Sequence, residues 1–461
     1  MATDLPAHTE PTEAAEPTEA AEAAGSGAAV RCARPQPVGV FPLPAGFLLI
    51  PGGDETAAVR RSLAAGMLPT AWPPQLAAIE LAYRGDLAGA VALLTGDDPV
   101  TRYNRFVLSP TGSAAPAGAE TAAATATDDP LSLRTALGDE LGILVDVVRF
   151  AGGQRSVPPI LTGESEEIAA LVWSAHAAHA TAAGRIGDAA RMLGRAIAAA
   201  HKAAPGLAAQ LMATTAGLRR DVEGPTSEVI ADLTAALNTL EPTDLVAVRA
   251  ELHLTLGSVH HELAGAGQTG DDQVGEDLAG LRTAAEHYLA ALRLITIDTA
   301  PELFASAQVS LAAAYLAMPM NSASDQLRIG VAMQGLRTAL TVYTRKTHPQ
   351  QWASTQLNLA NALVHAPSSH RRDNLVEAVG RYQEVIANKV GLADPPAYAR
   401  VLTSQGNALA RLGAFPQATA LLHEARTIFE NSGDDESAAT VRHLLDEIAR
   451  HRALISSTAG S

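Results

Sequence analysis

Residues 406–422 read GNALARLGAFPQATALL, and the spacing of four residues in this stretch decides the fold. Gly406 is followed by Gly413 seven residues later, by Ala418 after twelve and by Leu422 after sixteen. The same order of a small residue, a glycine, a small or β-branched residue and a leucine occurs at three other places. These are Ala78, Gly85, Ala90 and Leu94; Ala177, Gly184, Ala189 and Leu193; and Gly217, Gly224, Val229 and Leu233. We interpret the spacing as a structural unit that repeats along the chain.

Each residue type in this unit has a physical reason. The small residues let two helix backbones approach, the glycine adopts a turn conformation that a Cβ atom disfavours, and the leucine fills the seam between the helices. Such a helix pair is typical of the tetratricopeptide repeat. The sequence therefore predicts an all-α fold, an α-solenoid of stacked tetratricopeptide-like helix hairpins that forms a right-handed superhelix from about Ala71 to Leu454.

Three further units keep the helix markers but place them further apart. The small residues at the helix crossing are Gly257 with Ala284, Ala312 with Ala332, and Ala360 with Ala378. The second helix then continues with Tyr288, Leu336 or Tyr382, and with Ala291, Ala339 or Val385. We assign the additional residues to an expanded turn between the two helices. Pro301, Pro349 and Pro395 are expected to begin first helices, because proline at the first helical position loses no hydrogen bond.

A more specific resemblance covers roughly residues 304–430. The run ALTVYTRKTHPQQWASTQLNLANAL, residues 339–363, resembles the long tetratricopeptide repeats found beside CHAT caspase-like protease domains. NLVEAVGRYQEVI, residues 374–386, resembles their second helix, and PSSHRRDNL their expanded turn. Such relatives often carry a protease domain with a His/Cys pair, whereas this sequence ends on a polar helix from Glu436 to Leu454. The resemblance therefore implies the repeat array without the catalytic module.

Changes in composition divide the chain into seven segments. Residues 1–36, with the run PTEAAEPTEAAEAAG, have few residues that could anchor them to a core. We expect a disordered acidic tail at 1–36, followed by an apolar segment at 37–70 that either caps the array or docks elsewhere. An N-terminal hairpin at 71–109, a flexible linker at 110–130 and a helix with its connection at 131–165 come next. The repeat array covers 166–432, with three short-turn and three expanded-turn repeats, and a C-terminal capping helix and tail cover 433–461.

Charge and composition exclude several classes of function. A net charge of −16 argues against nucleic acid and anionic membranes as partners, because both require clustered Lys and Arg. The single cysteine, Cys32, excludes a disulfide framework and a thiolate zinc site. The apolar stretch 38–51 is interrupted by prolines and cannot cross a bilayer as a helix. Because no secretory signal begins the chain, we expect a cytoplasmic protein.

The histidines are the main candidates for catalysis or metal binding. His176 and His179 have a spacing compatible with a metal, but no third ligand lies nearby, so we favour helix packing. His260 falls where the repeat carries an aromatic residue, which favours a packed ring. A catalytic base at His260 and His261 lacks both a nucleophile and an orienting acid. We therefore expect no metal, no cofactor and no enzymatic activity.

Asparagines on the first helices form the candidate binding surface, since first helices line the concave groove in this repeat class. Asn358 and Asn361 share one first helix, and Asn407 repeats Asn361 one unit later. An amide side chain donates and accepts hydrogen bonds, which suits the backbone of an extended peptide. The LNLANAL segment also resembles the asparagine ladders of tetratricopeptide peptide receptors. The alternative is that these asparagines bridge helices within the array.

Basic residues on the same helices add to this surface. Arg400 and Arg411 are positioned for charge-assisted contacts with an acidic ligand. We also include His365 among the candidate partner-binding residues. The carboxylate clamp of chaperone-binding repeats requires a lysine, but Leu357 and Thr403 stand at the corresponding positions. Binding of chaperone C-termini is therefore not expected.

These features favour a non-catalytic scaffold or adaptor that binds a protein or peptide partner in the concave groove. Its oligomeric state is unknown from the sequence. The partner could belong to an enzyme complex in assembly, such as an effector protease or a metalloenzyme; the occurrence of similar free-standing arrays near hydrogenase genes implies a hydrogenase accessory role. The alternative is a ligand- or peptide-sensing regulator, a class that normally pairs the array with a DNA-binding domain.

Overall fold

The computed structural model describes residues 41, 43–109, 129–161, 163, 166–265, 271–319, 323–366, 370–388 and 394–459. The predicted tail and nearly all of the predicted linker lie outside these residues. The chain divides into two compact units, Met1–Leu211 and Met212–Ser461. The described residues form helices and no β-strand, as the all-α prediction requires.

The described part of the first unit begins with four short α-helices and continues with three longer ones. Its helices are α1 (Asp54–Ala64), α2 (Ala77–Tyr83), α3 (Leu87–Leu93), α4 (Pro99–Leu108), α5 (Pro130–Ala151), α6 (Glu166–Ala182) and α7 (Ile186–Ala203). Helices α2 and α3 pack together as one hairpin, and α6 and α7 as another. The division between the two units falls within α8 (Pro205–Glu223).

The second unit is a series of helix hairpins that pack in chain order. Its helices are α9 (Ser227–Leu240), α10 (Val246–Gly265), α11 (Asp271–Leu294), α12 (Pro301–Ala317), α13 (Ala323–Val342), α14 (Pro349–His365), α15 (Arg371–Asn388), α16 (Pro395–Arg411), α17 (Phe415–Ser432) and α18 (Asp435–Ala459). Proline occupies the start of α12, α14 and α16, as predicted. The tetratricopeptide-like hairpin fold is thus confirmed.

The turn glycines show why the repeat spacing is specific. Gly85, Gly184, Gly224 and Gly413 have φ angles of 87°, 71°, 80° and 83°. This left-handed region is open to glycine and costly for residues with a Cβ atom. The four sequence matches therefore identify four turns of one backbone conformation.

The residues predicted at the helix crossings are buried. Ala189, Ala284, Ala378 and Ala418 have no exposed surface. Gly257 on α10 is even more constrained, since an added Cβ atom would lie 2.5 Å from the Tyr288 ring. Close approach of the two backbones is therefore the role of these small residues.

The first of the lengthened units differs from the expectation of an expanded turn. Helices α10 and α11 contain 20 and 24 residues, whereas α16 and α17 of a short unit contain 17 and 18. Much of the added sequence of this unit is therefore helical. The physical reason is that an α-helix pairs the backbone N–H and C=O groups by internal hydrogen bonds, whereas in a long turn these groups need other hydrogen-bond partners.

The apolar segment near the N-terminus packs within the first unit. Leu48, Leu49 and Ile50 are almost completely buried. The side-chain amide of Asn104 on α4 accepts a hydrogen bond from the Leu49 N–H at 2.8 Å and donates one to the Leu49 carbonyl at 2.9 Å. The sequence also missed α1, which lies inside the segment assigned as apolar cap or docking peptide.

In the part of the chain that the structure describes, no helix has both the length and the apolar character needed to cross a membrane.

Candidate partner-binding site

The six residues selected from the sequence lie on two first helices of neighbouring hairpins. Asn358, Asn361 and His365 are on α14, and their spacing of three and four residues gives them one helix face. Arg400, Asn407 and Arg411 are on α16, where intervals of seven and four residues have the same effect. Helix periodicity thus presents two polar faces, one on each hairpin.

Asn361 is held by its own hairpin. The Tyr382 hydroxyl on α15 donates a hydrogen bond to the Asn361 side-chain oxygen at 2.5 Å. Burial raises the pKa of Tyr382, so its hydroxyl stays protonated as a donor. The Asn361 amide nitrogen has no hydrogen-bond partner among the described residues, and the residue is exposed. Asn361 therefore bridges two helices through its oxygen and retains its donor.

A small cavity of about 200 Å³ lies beside Asn361, between α14, α15 and α16. Its lining residues are Leu357, Asn361, Tyr382, Ala397, Arg400, Val401 and Ser404. The Arg400 guanidinium lies 3.7 Å from the Asp394 carboxylate, and both side chains are largely exposed. A pair of this kind contributes little to stability, so Arg400 remains able to contact a ligand.

Asn407 has a different environment from Asn361. Leu422, and not a tyrosine, occupies the position four residues after the crossing alanine of its hairpin. Asn407 is half-buried and makes no hydrogen bond with the described residues. Its amide therefore retains both a donor and an acceptor.

Asn407 lines a larger cleft of about 850 Å³ formed by α16, α17 and α18. The residues around this cleft, which we call the C-terminal cleft, are Asn407, Ala410, Arg411, Leu412, Gly413, Phe415, Leu422, Leu444, Glu447, Ile448, Arg450 and His451. Sequence reasoning missed the contribution of α18. The available signal was the apolar spacing of Val441, Leu444 and Ile448 on one helix face.

Arg411 connects the two hairpins. One of its guanidinium nitrogens donates a hydrogen bond to the Val364 carbonyl at 2.7 Å, which satisfies a backbone acceptor in the last turn of α14. Burial and the nearby Arg371 guanidinium lower the pKa of Arg411. Burial and Arg411 likewise lower the pKa of His365, so His365 is neutral near pH 7.

The structure thus divides the candidate residues between two cavities. Asn361 and Arg400 line the smaller one, and Asn407 and Arg411 line the C-terminal cleft. Asn358, which is half-buried, lines neither cavity. His365, which is exposed, also lines neither of them.

The histidines considered for metal binding have packing roles. A ring nitrogen of His176 lies 2.8 Å from the Pro159 carbonyl oxygen, and His179 contacts the Phe150 ring. His260 stacks on His287, whose Nδ1 lies 3.0 Å from the Nδ1 of another histidine, His253. We call these last three residues the histidine trio. No group of three or more His, Cys, Asp or Glu residues in the described chain is arranged to hold a metal ion.

Comparison with known proteins gives structural similarities only. No family model matches the chain, so the CHAT-associated resemblance is not confirmed, and no curated protein matches it.

Three solved structures illustrate the structural similarity. BtubC from P. vanneervenii is 20% identical, with 55% of this chain and 90% of that chain covered and a TM-score of 0.35. The Cut9–Hcn1 hetero-tetramer of the APC/C is 15% identical, with 80% of this chain and 54% of that chain covered and a TM-score of 0.40. Rap protein complexed with competence and sporulation factor is 12% identical, with 82% of this chain and 99% of that chain covered and a TM-score of 0.37. At these low values, the fold assignment rests on the helices of this chain themselves.

Proposed function

We propose that this protein is a binding scaffold that holds an extended segment of a protein partner along the exposed faces of α14 and α16. The observation that carries the proposal is Asn407. Its amide lines an open cleft with donor and acceptor both unused by the described residues. The groups that an amide offers there match those of a peptide backbone.

The chain contains an internal example of this chemistry. Asn104 projects from α4 and pairs with both the N–H and the C=O of Leu49 in an extended segment. A helix-borne asparagine therefore recognises extended backbone within this fold. Asn407 offers the same two groups to a second chain, and Asn361 offers its donor.

The contribution of these contacts is modest and measurable. A hydrogen bond exchanged with water yields about 1 kcal/mol net. Replacing both Asn361 and Asn407 by Ala is expected to weaken partner binding about 10- to 30-fold. Stability should change mainly through loss of the Tyr382–Asn361 hydrogen bond, again about 1 kcal/mol.

The experiment begins with selection of binders from a random displayed-peptide library on the full chain. Affinities of the selected peptides are then measured for the parent, the Asn361→Ala/Asn407→Ala variant and an Asn238→Ala control. Asn238 lies exposed on α9, outside both cavities, so its replacement tests the same chemical change elsewhere. Unchanged affinity in a folded double variant, or the absence of any binder, would refute the proposal.

The finer proposals rest on the sequence alone. We propose a non-catalytic, cytoplasmic protein. We also propose that it does not bind nucleic acid, because its net charge is −16. A role in assembling an enzyme complex, with a hydrogenase as one case, follows only from the repeat resemblance. Copurification of the native protein with an enzyme subunit, lost in the double asparagine variant, is the result that role requires.

A further inference from the structure

The C-terminal cleft combines an apolar floor with a basic rim. Leu422 and Ile448 are buried in its floor, and Leu444 and Phe415 are half-buried beside them. Their packing leaves an open volume of about 850 Å³. An apolar side chain placed there loses contact with water, which is favourable at about 25 cal/mol per Å² of buried apolar surface.

The rim carries an excess of positive charge. Arg411 and Arg450 line the cleft, and neither has a carboxylate within ion-pair distance among the described residues. Glu447 is the acidic residue of the lining, against two arginines. In a chain with a net charge of −16, an excess of cations at one cleft favours an acidic ligand.

The electrostatics of Arg411 support this interpretation. Burial and the neighbouring Arg371 lower its pKa. The effect of Arg371 on this pKa is the repulsion between the two guanidinium groups. An anion bound between the helices would reduce that repulsion. Its attraction to the guanidinium groups would be stronger there than in bulk water, because water is partly excluded.

We propose that the C-terminal cleft selects a protein segment in which an aspartate or glutamate adjoins a large apolar residue. The carboxylate faces Arg411 and Arg450, the apolar side chain enters the floor between Leu422 and Ile448, and Asn407 pairs with the segment's backbone. This assignment rests on the proposed binding function and adds the chemistry of the partner to it.

The test uses peptides selected from the random library on the full chain. Their sequences should be enriched in Asp or Glu beside Leu, Ile, Met or Phe. Each peptide is then remade with Asn or Gln in place of the acid, and this change should weaken binding about 10-fold or more, the usual worth of a charge-assisted hydrogen bond. Raising the salt concentration should reduce the preference for the acidic peptide.

Variants of the protein locate the effect. Arg450→Gln should remove most of the preference for the acidic peptide over its amide counterpart. Arg450 is exposed, so this variant avoids the hydrogen bond by which Arg411 supports α14. Arg442→Gln, on α18 but outside the cleft, is the matched control and should keep the preference.

The outcomes separate this inference from the proposed function. Peptides that need Asn407 but show no preference for acidic residues would overturn the inference and leave the binding function standing. A preference that persists in both Arg411→Gln and Arg450→Gln would also overturn it. Failure to select any peptide that depends on Asn361 and Asn407 would refute the binding function itself, and the inference with it.

Discussion

The crossing of α10 and α11 offers a stringent test of the packing argument, through the single change Gly257→Ala. A Cβ atom at position 257 would lie 2.5, 2.8 and 3.0 Å from three carbons of the Tyr288 ring. Carbon atoms in good contact are about 3.5–4.0 Å apart. The ring must therefore move by roughly 1 Å, and Tyr288 is only 2% exposed.

Two opposing effects set the magnitude of this change. Alanine in a helix interior gains about 1 kcal/mol over glycine. Overpacking a buried site costs about 1–3 kcal/mol. Gly380 on α15 isolates the first effect, because it is exposed and a Cβ atom there meets nothing within 4 Å. Gly380→Ala should therefore stabilise the protein, and Gly257→Ala should be the less stable of the two by about 1–3 kcal/mol.

Thermal unfolding followed by far-UV circular dichroism provides the assay. For a unit of this size, 1 kcal/mol shifts Tm by about 2–4 °C. The Tm of Gly257→Ala should thus lie about 2–12 °C below that of Gly380→Ala. Equal Tm values for the two variants would show that α10 and α11 do not approach as closely as the glycine implies.

Three further predictions concern other parts of the chain. Ala189→Leu and Ala418→Leu should each lower the free energy of unfolding by roughly 1–3 kcal/mol through overpacking, whereas the exposed Ala420→Leu should change it by less than about 0.5 kcal/mol; chemical denaturation checks all three. Asn104→Ala should cost roughly 2–4 kcal/mol, because it leaves the buried Leu49 N–H and C=O without partners, and a cost below about 1 kcal/mol would contradict that pairing. Burial lowers the pKa of all three members of the histidine trio, one of them to about 4. Because the folded state favours the neutral rings, the trio's contribution to the stability of the protein is complete above about pH 6.5 and is lost as the pH falls toward 4. The Tm measured across this pH range should therefore fall less steeply in a His287→Gln variant than in the parent.

The repeat spacing predicted the hairpins well because its determinants are local. A glycine such as Gly413 is required by the backbone conformation of one turn, with φ at 83°. An alanine such as Ala418 is required by one helix crossing, where it has no exposed surface. Each requirement depends on a few neighbouring residues, so it leaves a spacing that can be read without the rest of the structure.

The site was less predictable because it depends on which side chains meet across different helices. The sequence indicated that Asn361 and Asn407 occupy equivalent positions, but not that Tyr382 would use the oxygen of the first. It contained no spacing that relates α18 to the repeats, so the floor and rim contributed by Ile448 and Arg450 were not predicted. Helix α18 follows the last hairpin without a repeat signature of its own.

The difference between the two asparagines also shows how a repeat array can build one specific site. Equivalent backbone positions place Asn361 and Asn407 on corresponding helix faces, but the residue opposite each is set by its own hairpin. Tyr382 uses the oxygen of the first amide, while Leu422 makes no hydrogen bond and leaves the second amide free for a ligand. The proposed binding surface therefore offers a donor at one hairpin and a full donor–acceptor pair at the next. Asn407 also lines the C-terminal cleft. The backbone recognition and the side-chain recognition that we propose therefore coincide at the same hairpin, where we expect binding selectivity to be strongest.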